Sequence, residues 1–94
     1  MCIRDREYAE YVGTKHAIAL ANGSVALELA LRVLGIGEGD EVVTTTRSFI
    51  ASASCAVMVG AKPVIADVDR DSQNITAETI RAKITPRTLS LIHI

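Results

Sequence analysis

The residues best suited to hold an anion are Asn22, Gly23, Ser24 and Val25, which join a short apolar run to a helical pattern. Backbone N–H groups at the start of a helix have no partner within it, and the helix dipole favours negative charge there. Gly23 would let a ligand approach closely, and the Ser24 hydroxyl adds a donor. The segment indicates either a phosphate site or a plain serine-capped turn, and local pattern alone favours the plain turn.

The two common nucleotide motifs do not fit this turn. In the G-x-G-x-x-G fingerprint the second glycine would fall at Val25, and no Gly-Lys-Ser/Thr follows as in a P-loop. Gly35, Gly37 and Gly39 have a suggestive spacing, but they follow a helical pattern instead of joining a strand to a helix. They are interpreted as a helix stop and loop.

Phe49 is the only phenylalanine of the chain and lies where a strand-end loop becomes a helical pattern. An aromatic ring at such a place can stack on a flat heterocycle, although a core phenylalanine gives the same pattern. Arg47 lies on the same loop and is a weaker functional candidate. His16 has no partner motif and is interpreted as structural or surface.

A group of acidic residues imitates the spacing of a calcium loop, with carboxylates at its first, third, fifth and twelfth positions. Ser72 replaces the glycine that such a loop requires, and a strand pattern precedes it instead of a helix. These acids are therefore interpreted as solvated residues near the ends of a strand and a helix. They are Asp67, Asp69, Asp71 and Glu78.

Hydrophobic periodicity predicts an alternation of helices and strands. The predicted helices are the segment ending at Val12 and residues 24–34, 49–59 and 77–83, and the predicted strands are residues 17–21, 41–45 and 63–68. Gly13 is the predicted stop of the first helix, and Thr76 is the predicted N-cap of the last. Such an order predicts an α/β fold with a mainly parallel sheet and flanking helices. Ligands of these sheets bind beyond the carboxyl ends of the strands, where both candidate loops lie. Helix 24–34 is expected to be buried around most of its circumference.

The two ends of the chain can be encoded by complementary DNA. Residues 1–6 fit ATGTGTATAAGAGACAG plus one further base, and residues 89–94 fit CTGTCTCTTATACACATC, which contains the first string on the opposite strand. This relation is typical of the transposon ends used to build sequencing libraries. We therefore expect residues 1–6 and 89–94 to be translated adapter and residues 7–88 to be the natural segment.

Composition narrows the class of protein. The net charge is only −1, which does not favour nucleic-acid or anionic-membrane binding. Without residues 1–6 only Cys55 remains, so no disulfide or cysteine-based metal site is expected. No signal peptide or membrane span is recognised, which favours the cytoplasm. Apolar residues make up 49% of so short a chain, so part of its surface is expected to pack against a larger domain.

Taken together, these motifs resemble the DegT/DnrJ/EryC1/StrS family of pyridoxal-phosphate (PLP) sugar aminotransferases. The similarity runs in order through essentially all of residues 7–88. The motifs occupy residues 13–17, 22–24, 26–27, 29–31, 34–37, 39–43, 48–51, 60–64, 67–69, 74–75 and 84–88.

The resemblance implies the N-terminal part of the large domain of a fold-type-I (aspartate-aminotransferase-like) enzyme, with PLP as cofactor. Gly23, Ser24 and the Val25 amide would hold the PLP phosphate, and Phe49 would stack on its ring. Val25 departs from the small or hydroxylated residue often found there, which puts a side-chain contact in doubt. The parent enzyme would transfer an amino group, from glutamate, to a nucleotide-linked keto sugar and would be a homodimer.

The lysine that bonds covalently to the cofactor would lie beyond Thr88, so no catalytic residue is assigned and residues 7–88 are expected to be inactive. Two alternatives stay open. One is a PLP sugar dehydratase of the same fold, and the other is a nucleotide-binding α/β module that uses no PLP.

Overall fold

The computed structural model describes residues 2–92, which form four helices and three strands. The order is helix, helix, strand, helix, strand, helix, strand. The helices are α1 (Ile3–Val12), α2 (Gly23–Val33), α3 (Ala51–Met58) and α4 (Ala77–Arg81), and the strands are β1 (Glu41–Thr45), β2 (Lys62–Ala66) and β3 (Thr88–Ile92).

The strands form one parallel sheet in the order β2-β1-β3. Glu41 pairs with Lys62 at one end of β1 and Thr45 with Ala66 at the other. Helix α3 connects β1 to β2, and α4 connects β2 to β3, as parallel pairing requires a crossover. The predicted α/β class with a mainly parallel sheet and flanking helices is confirmed.

The core lies around the central strand. Val42, Val43 and Thr44 of β1 are fully buried, and Val42 belongs to a cluster with residues of α2 and α3. The cluster consists of Leu31, Ile36, Val42, Cys55, Ala56 and Ala61. Burial raises the pKa of the Cys55 thiol, which therefore remains a neutral core side chain.

The helix termini follow from local residue types. Gly13 adopts a left-handed conformation (φ 76°) after Val12, as the predicted helix stop requires. The Asn22 side chain caps α2, and Thr76 caps α4 as predicted. Helix α3 begins at Ala51 instead of residue 49, so Phe49 belongs to the preceding loop.

The predicted strand at residues 17–21 is wrong for this chain, because these residues belong to no strand and pair with none among residues 2–92. Ile18 is 75% exposed. A strand needs a neighbour that supplies backbone hydrogen bonds, and an apolar pattern cannot supply one.

The expected burial of α2 is also wrong here. Leu31 is its buried residue, whereas Val33 at its end is 77% exposed. Helix α2 packs against α3 on one side, and no element among the described residues covers its other side. Both differences have the same cause: apolar surface whose packing partner is not within residues 2–92.

The adapter prediction for the two ends concerns their coding DNA and stays a prediction. Residues 3–6 continue α1, and residues 89–92 form most of β3 beside β1. Met1, His93 and Ile94, which the same prediction includes, lie outside the described residues.

Candidate functional site

An open groove of ≈ 400 Å³ lies between the first turn of α2 and the start of α3. The first turn of α2 and Phe49, the two candidate segments from sequence, both line this groove. Its lining residues are Gly23, Ser24, Leu27, Phe49, Ala51 and Ser52.

The first turn of α2 offers backbone donors to this groove. Gly23 and Ser24 begin the helix, so their N–H groups have no partner within it. The Val25 amide differs, because it donates to Asn22 Oδ1 at 3.0 Å. Asn22 thus caps the helix, a role that the sequence analysis had considered only for serine.

Phe49 is 67% exposed and stands beside the groove. It is therefore not a core residue of this chain, which was the alternative interpretation. An exposed aromatic face beside a groove can cover a planar ring. Ser24 and Phe49 come from the ends of two different loops, and the fold brings them together.

Ser52 also lines the groove and was not among the residues singled out from sequence. It is 2% exposed, its hydroxyl lies 2.7 Å from Ser48 Oγ, and its amide donates to Phe49 O at 3.0 Å. Two serines four residues apart around the only phenylalanine were the sequence signal for this arrangement.

The remaining candidates lie outside the groove. Arg47 is exposed on the loop after β1, where its amide donates to Thr45 Oγ1 at 3.4 Å. His16 is exposed, and its carbonyl accepts from the Thr14 hydroxyl at 3.1 Å. Neither side chain joins the residues around Ser24.

The acidic segment after β2 folds as a hydrogen-bonded turn. Asp69 Oδ2 accepts the amides of Asp71 and Ser72 at 3.1 and 2.8 Å, and the bonds from Ser72 are the main cause that lowers the pKa of Asp69. Within residues 2–92, no three His, Cys, Asp or Glu side chains are grouped so that they could bind a metal ion. The turn accounts for the pattern that imitates a calcium loop.

None of the helices between residues 2 and 92 combines the length and the apolar character that crossing a membrane requires.

Comparison with known proteins identifies the family. The model of the DegT/DnrJ/EryC1/StrS aminotransferase family matches residues 5–94. The chain belongs to this family. The match confirms the resemblance inferred from residues 7–88.

Two relatives of this aminotransferase chain have names that refer to sugars. GDP-perosamine synthase of Caulobacter vibrioides is 46% identical over 88 residues, which cover 94% of this chain and 24% of that protein. Spore coat polysaccharide biosynthesis protein SpsC of Bacillus subtilis is 42% identical over 88 residues, covering 94% and 23%. The chain thus spans about a quarter of the length of these relatives.

A solved structure extends the comparison to the fold. Spr1654 of Streptococcus pneumoniae, described as a sugar aminotransferase, is known in a PLP form with a TM-score of 0.85 and 34% identity. That match covers 93% of this chain and 22% of the other. Its PMP (pyridoxamine phosphate) form gives 0.87 and 35%, covering 95% and 22%. The fold expected from the resemblance, part of a PLP aminotransferase, is confirmed.

Proposed function

We propose that the protein that contains this chain is a PLP-dependent sugar aminotransferase, and that this chain supplies part of its cofactor site. The observation that carries the proposal is that Ser24 and Phe49 line one groove in a chain of the aminotransferase family. The groove has a donor-rich end for an anion and an aromatic side for a ring.

The groove residues fit PLP in both size and chemistry. Its ≈ 400 Å³ lies within the range of small-molecule sites. The Gly23 and Ser24 amides and the Ser24 hydroxyl would bind the phosphate, where the α2 dipole favours negative charge. Phe49 would cover the pyridine ring, and Leu27 forms an apolar wall.

The Val25 amide, assigned to the phosphate from sequence, would join this site only by exchanging one acceptor for another. It now donates to Asn22 Oδ1, so a phosphate oxygen would have to replace that side chain. Such an exchange keeps the amide satisfied and converts a neutral hydrogen bond into a charge-assisted one.

PLP, when bound, supplies an electron sink that moves an amino group between two carbon skeletons. This chain's residues would bind and orient the cofactor, and Phe49 would also shield one side of its ring from water. No residue of this chain is assigned to proton transfer, and the lysine for that step is expected beyond Thr88. We therefore expect residues 7–88 alone to be inactive.

We further propose glutamate as the amino donor and a nucleotide-linked keto sugar as the acceptor, in the biosynthesis of cell-surface polysaccharides or secondary-metabolite sugars. The names of the GDP-perosamine synthase and spore coat relatives support this acceptor class. We propose that the protein acts in the cytoplasm, where nucleotide sugars and glutamate are found. We also propose that it acts as a homodimer, as the family resemblance implies.

The binding proposal is tested by titrating the metal-free, cofactor-free full-length protein with PMP, which carries the same phosphate and ring without bonding to lysine. Ser24→Ala should weaken binding at least about ten-fold, because a hydroxyl bonded to an anion is lost. Phe49→Leu should weaken it about three- to ten-fold through lost stacking. Ser72→Ala, in the turn after β2, is the control. Wild-type affinity in both groove variants would contradict the proposed site.

The reaction is tested by incubating the PLP-loaded full-length protein with a nucleotide-linked keto sugar and glutamate. Transfer of the amino group yields an amino sugar and 2-oxoglutarate, both detectable by mass spectrometry. A deoxygenated sugar without nitrogen would instead establish the dehydratase alternative, and unchanged substrates would count against both PLP reactions.

A further inference from the structure

We propose that Ser52 is a positioning residue: its hydroxyl pairs with that of Ser48 and holds Phe49 in place beside the groove. The inference rests on the proposed cofactor site, within which it assigns a role to a residue that does not itself need to touch the cofactor.

Hydrogen bonds between residues on both sides of Phe49 constrain its backbone. Ser48 and Ser52 flank Phe49, and their hydroxyl oxygens are 2.7 Å apart. In the same turn the Ser52 amide donates to the Phe49 carbonyl at 3.0 Å, and the Ser54 amide donates to Ile50 O at 2.9 Å. The hydroxyl pair thus closes a loop of five residues, 48–52, that contains the exposed aromatic ring.

Because the Ser52 side chain is buried, its hydrogen bond to Ser48 is more than a surface contact. Ser52 is 2% exposed, whereas Phe49 is 67% exposed and has little packing of its own to hold it. A buried hydroxyl requires a hydrogen-bond partner, and Ser48 Oγ provides it. The exposed ring therefore depends for its position on a hydrogen bond between the buried Ser52 hydroxyl and the exposed Ser48.

Removing the pair should loosen the turn without removing any proposed cofactor contact. In the full-length protein, Ser48→Ala and Ser52→Ala should each weaken PMP binding about three- to ten-fold, the range of one hydrogen bond. The double variant should be no weaker than the single ones, because both remove the same bond. Ser48 is exposed, so its variant keeps the test valid if Ser52→Ala fails to fold.

A second measurement separates positioning from direct contact. In a Phe49→Leu background, Ser52→Ala should change PMP affinity less than about two-fold, since the ring that it positions is already absent. Ser52→Thr should restore most of the affinity, because it keeps the hydroxyl. Ser54→Ala, two residues after Ser52 in α3, is the matched control and should bind PMP like the wild type.

The outcomes distinguish the two proposals. Wild-type protein that binds PMP while Ser48→Ala and Ser52→Ala bind equally well would overturn the positioning role alone. An undiminished Ser52→Ala effect in the Phe49→Leu background would also overturn it, since Ser52 would then act without the ring. Wild-type protein that binds no PMP would overturn the proposed function and this inference together.

Discussion

Two segments that the sequence predicts as strands differ completely in the structure. Both residues 17–21 and β1 (Glu41–Thr45) are predicted strands, yet β1 is the fully paired centre of the sheet and Ile18 is 75% exposed. Strand β1 has β2 on one side and β3 on the other, whereas residues 17–21 have no strand partner among residues 2–92.

The difference shows that an apolar run specifies a strand only where a neighbour completes it. Burial of Val42 and Val43 depends on two strands and on α2 and α3, all of which lie within the chain. We expect the exposed apolar residues near the start of the chain to pack against surface elsewhere in the parent protein, since this chain spans about a quarter of the length of its relatives.

The largest expected effect is that residues 7–88 alone fail to unfold cooperatively. Their exposed apolar side chains include Ile18, Val33 and Leu34, and this surface would be covered in the full-length protein. A small sheet with one incomplete core offers too little burial to offset the conformational entropy lost on folding. Thermal unfolding followed by circular dichroism should give a broad, shallow transition.

Amide hydrogen exchange on residues 7–88 should distinguish the packed strands and helix from the residues that lack a strand partner. Residual protection should be confined to β1, α3 and β2, and residues 14–22 should exchange as fast as an unfolded peptide. A sharp cooperative melt, or protection that extends over residues 17–21, would contradict the prediction.

The next largest effect is expected from Ile18→Asp, and it should depend on the length of the protein. In the full-length protein, where we expect residues 17–21 to be a paired and buried strand, a buried carboxylate should lower the free energy of unfolding by about 3 kcal/mol or more. In the 94-residue chain the same exposed position should tolerate aspartate. Urea unfolding of the full-length variant checks this, with Lys15→Asp as the control. A loss below about 1 kcal/mol would show that Ile18 is not buried.

The sequence predicted the elements whose partners lie nearby. Strand β1 was predicted with its observed bounds, and Gly13 and Thr76 were correctly assigned to helix ends because capping depends on residues within a few positions. Burial of α2 and pairing of residues 17–21 could not be predicted for this chain, because each depends on surface far away in sequence.

The candidate site was also predicted only in part from the sequence. Ser24 and Phe49 were placed near each other from sequence because each follows a predicted parallel strand. They do line one groove, although the strand predicted before Ser24 is absent from residues 17–21. The hydrogen bond from the Val25 amide to the Asn22 side chain and the bond between the Ser48 and Ser52 hydroxyls were not predicted. Each needs a side-chain rotamer that periodicity does not specify, although the asparagine before Gly23 was a recognisable capping residue.

A smaller effect is expected at Asn22, which lies between the unpaired residues 17–21 and helix α2. In the full-length protein without cofactor, Asn22→Ala should lower the free energy of unfolding by about 1 kcal/mol, because the Val25 amide loses its acceptor. With saturating PMP the loss should shrink, since a phosphate oxygen can accept from the same amide. Urea unfolding with and without PMP measures both values, and Asn74→Ala is the control. Equal losses in the two states would mean that phosphate does not reach Val25.

The smallest effect is expected at Arg32, which joins α2 to the packed part of the molecule. Its Nη2 donates to Glu28 Oε1 at 2.9 Å within α2 and to Met58 O at 3.3 Å at the end of α3. Because the Arg32 side chain is 55% exposed, Arg32→Ala should lower the free energy of unfolding of the full-length protein by at most about 1 kcal/mol.

Glu28→Gln should lower the free energy of unfolding by less than Arg32→Ala. Its effect should vanish in 1 M salt, where exposed ion pairs are screened over about 3 Å. The Arg32→Ala loss should persist in part at that salt concentration, because the bond to the Met58 carbonyl is not an ion pair. If both losses disappeared together, the contact between α2 and α3 at this point would be purely electrostatic, and Met58 O would have no part in it.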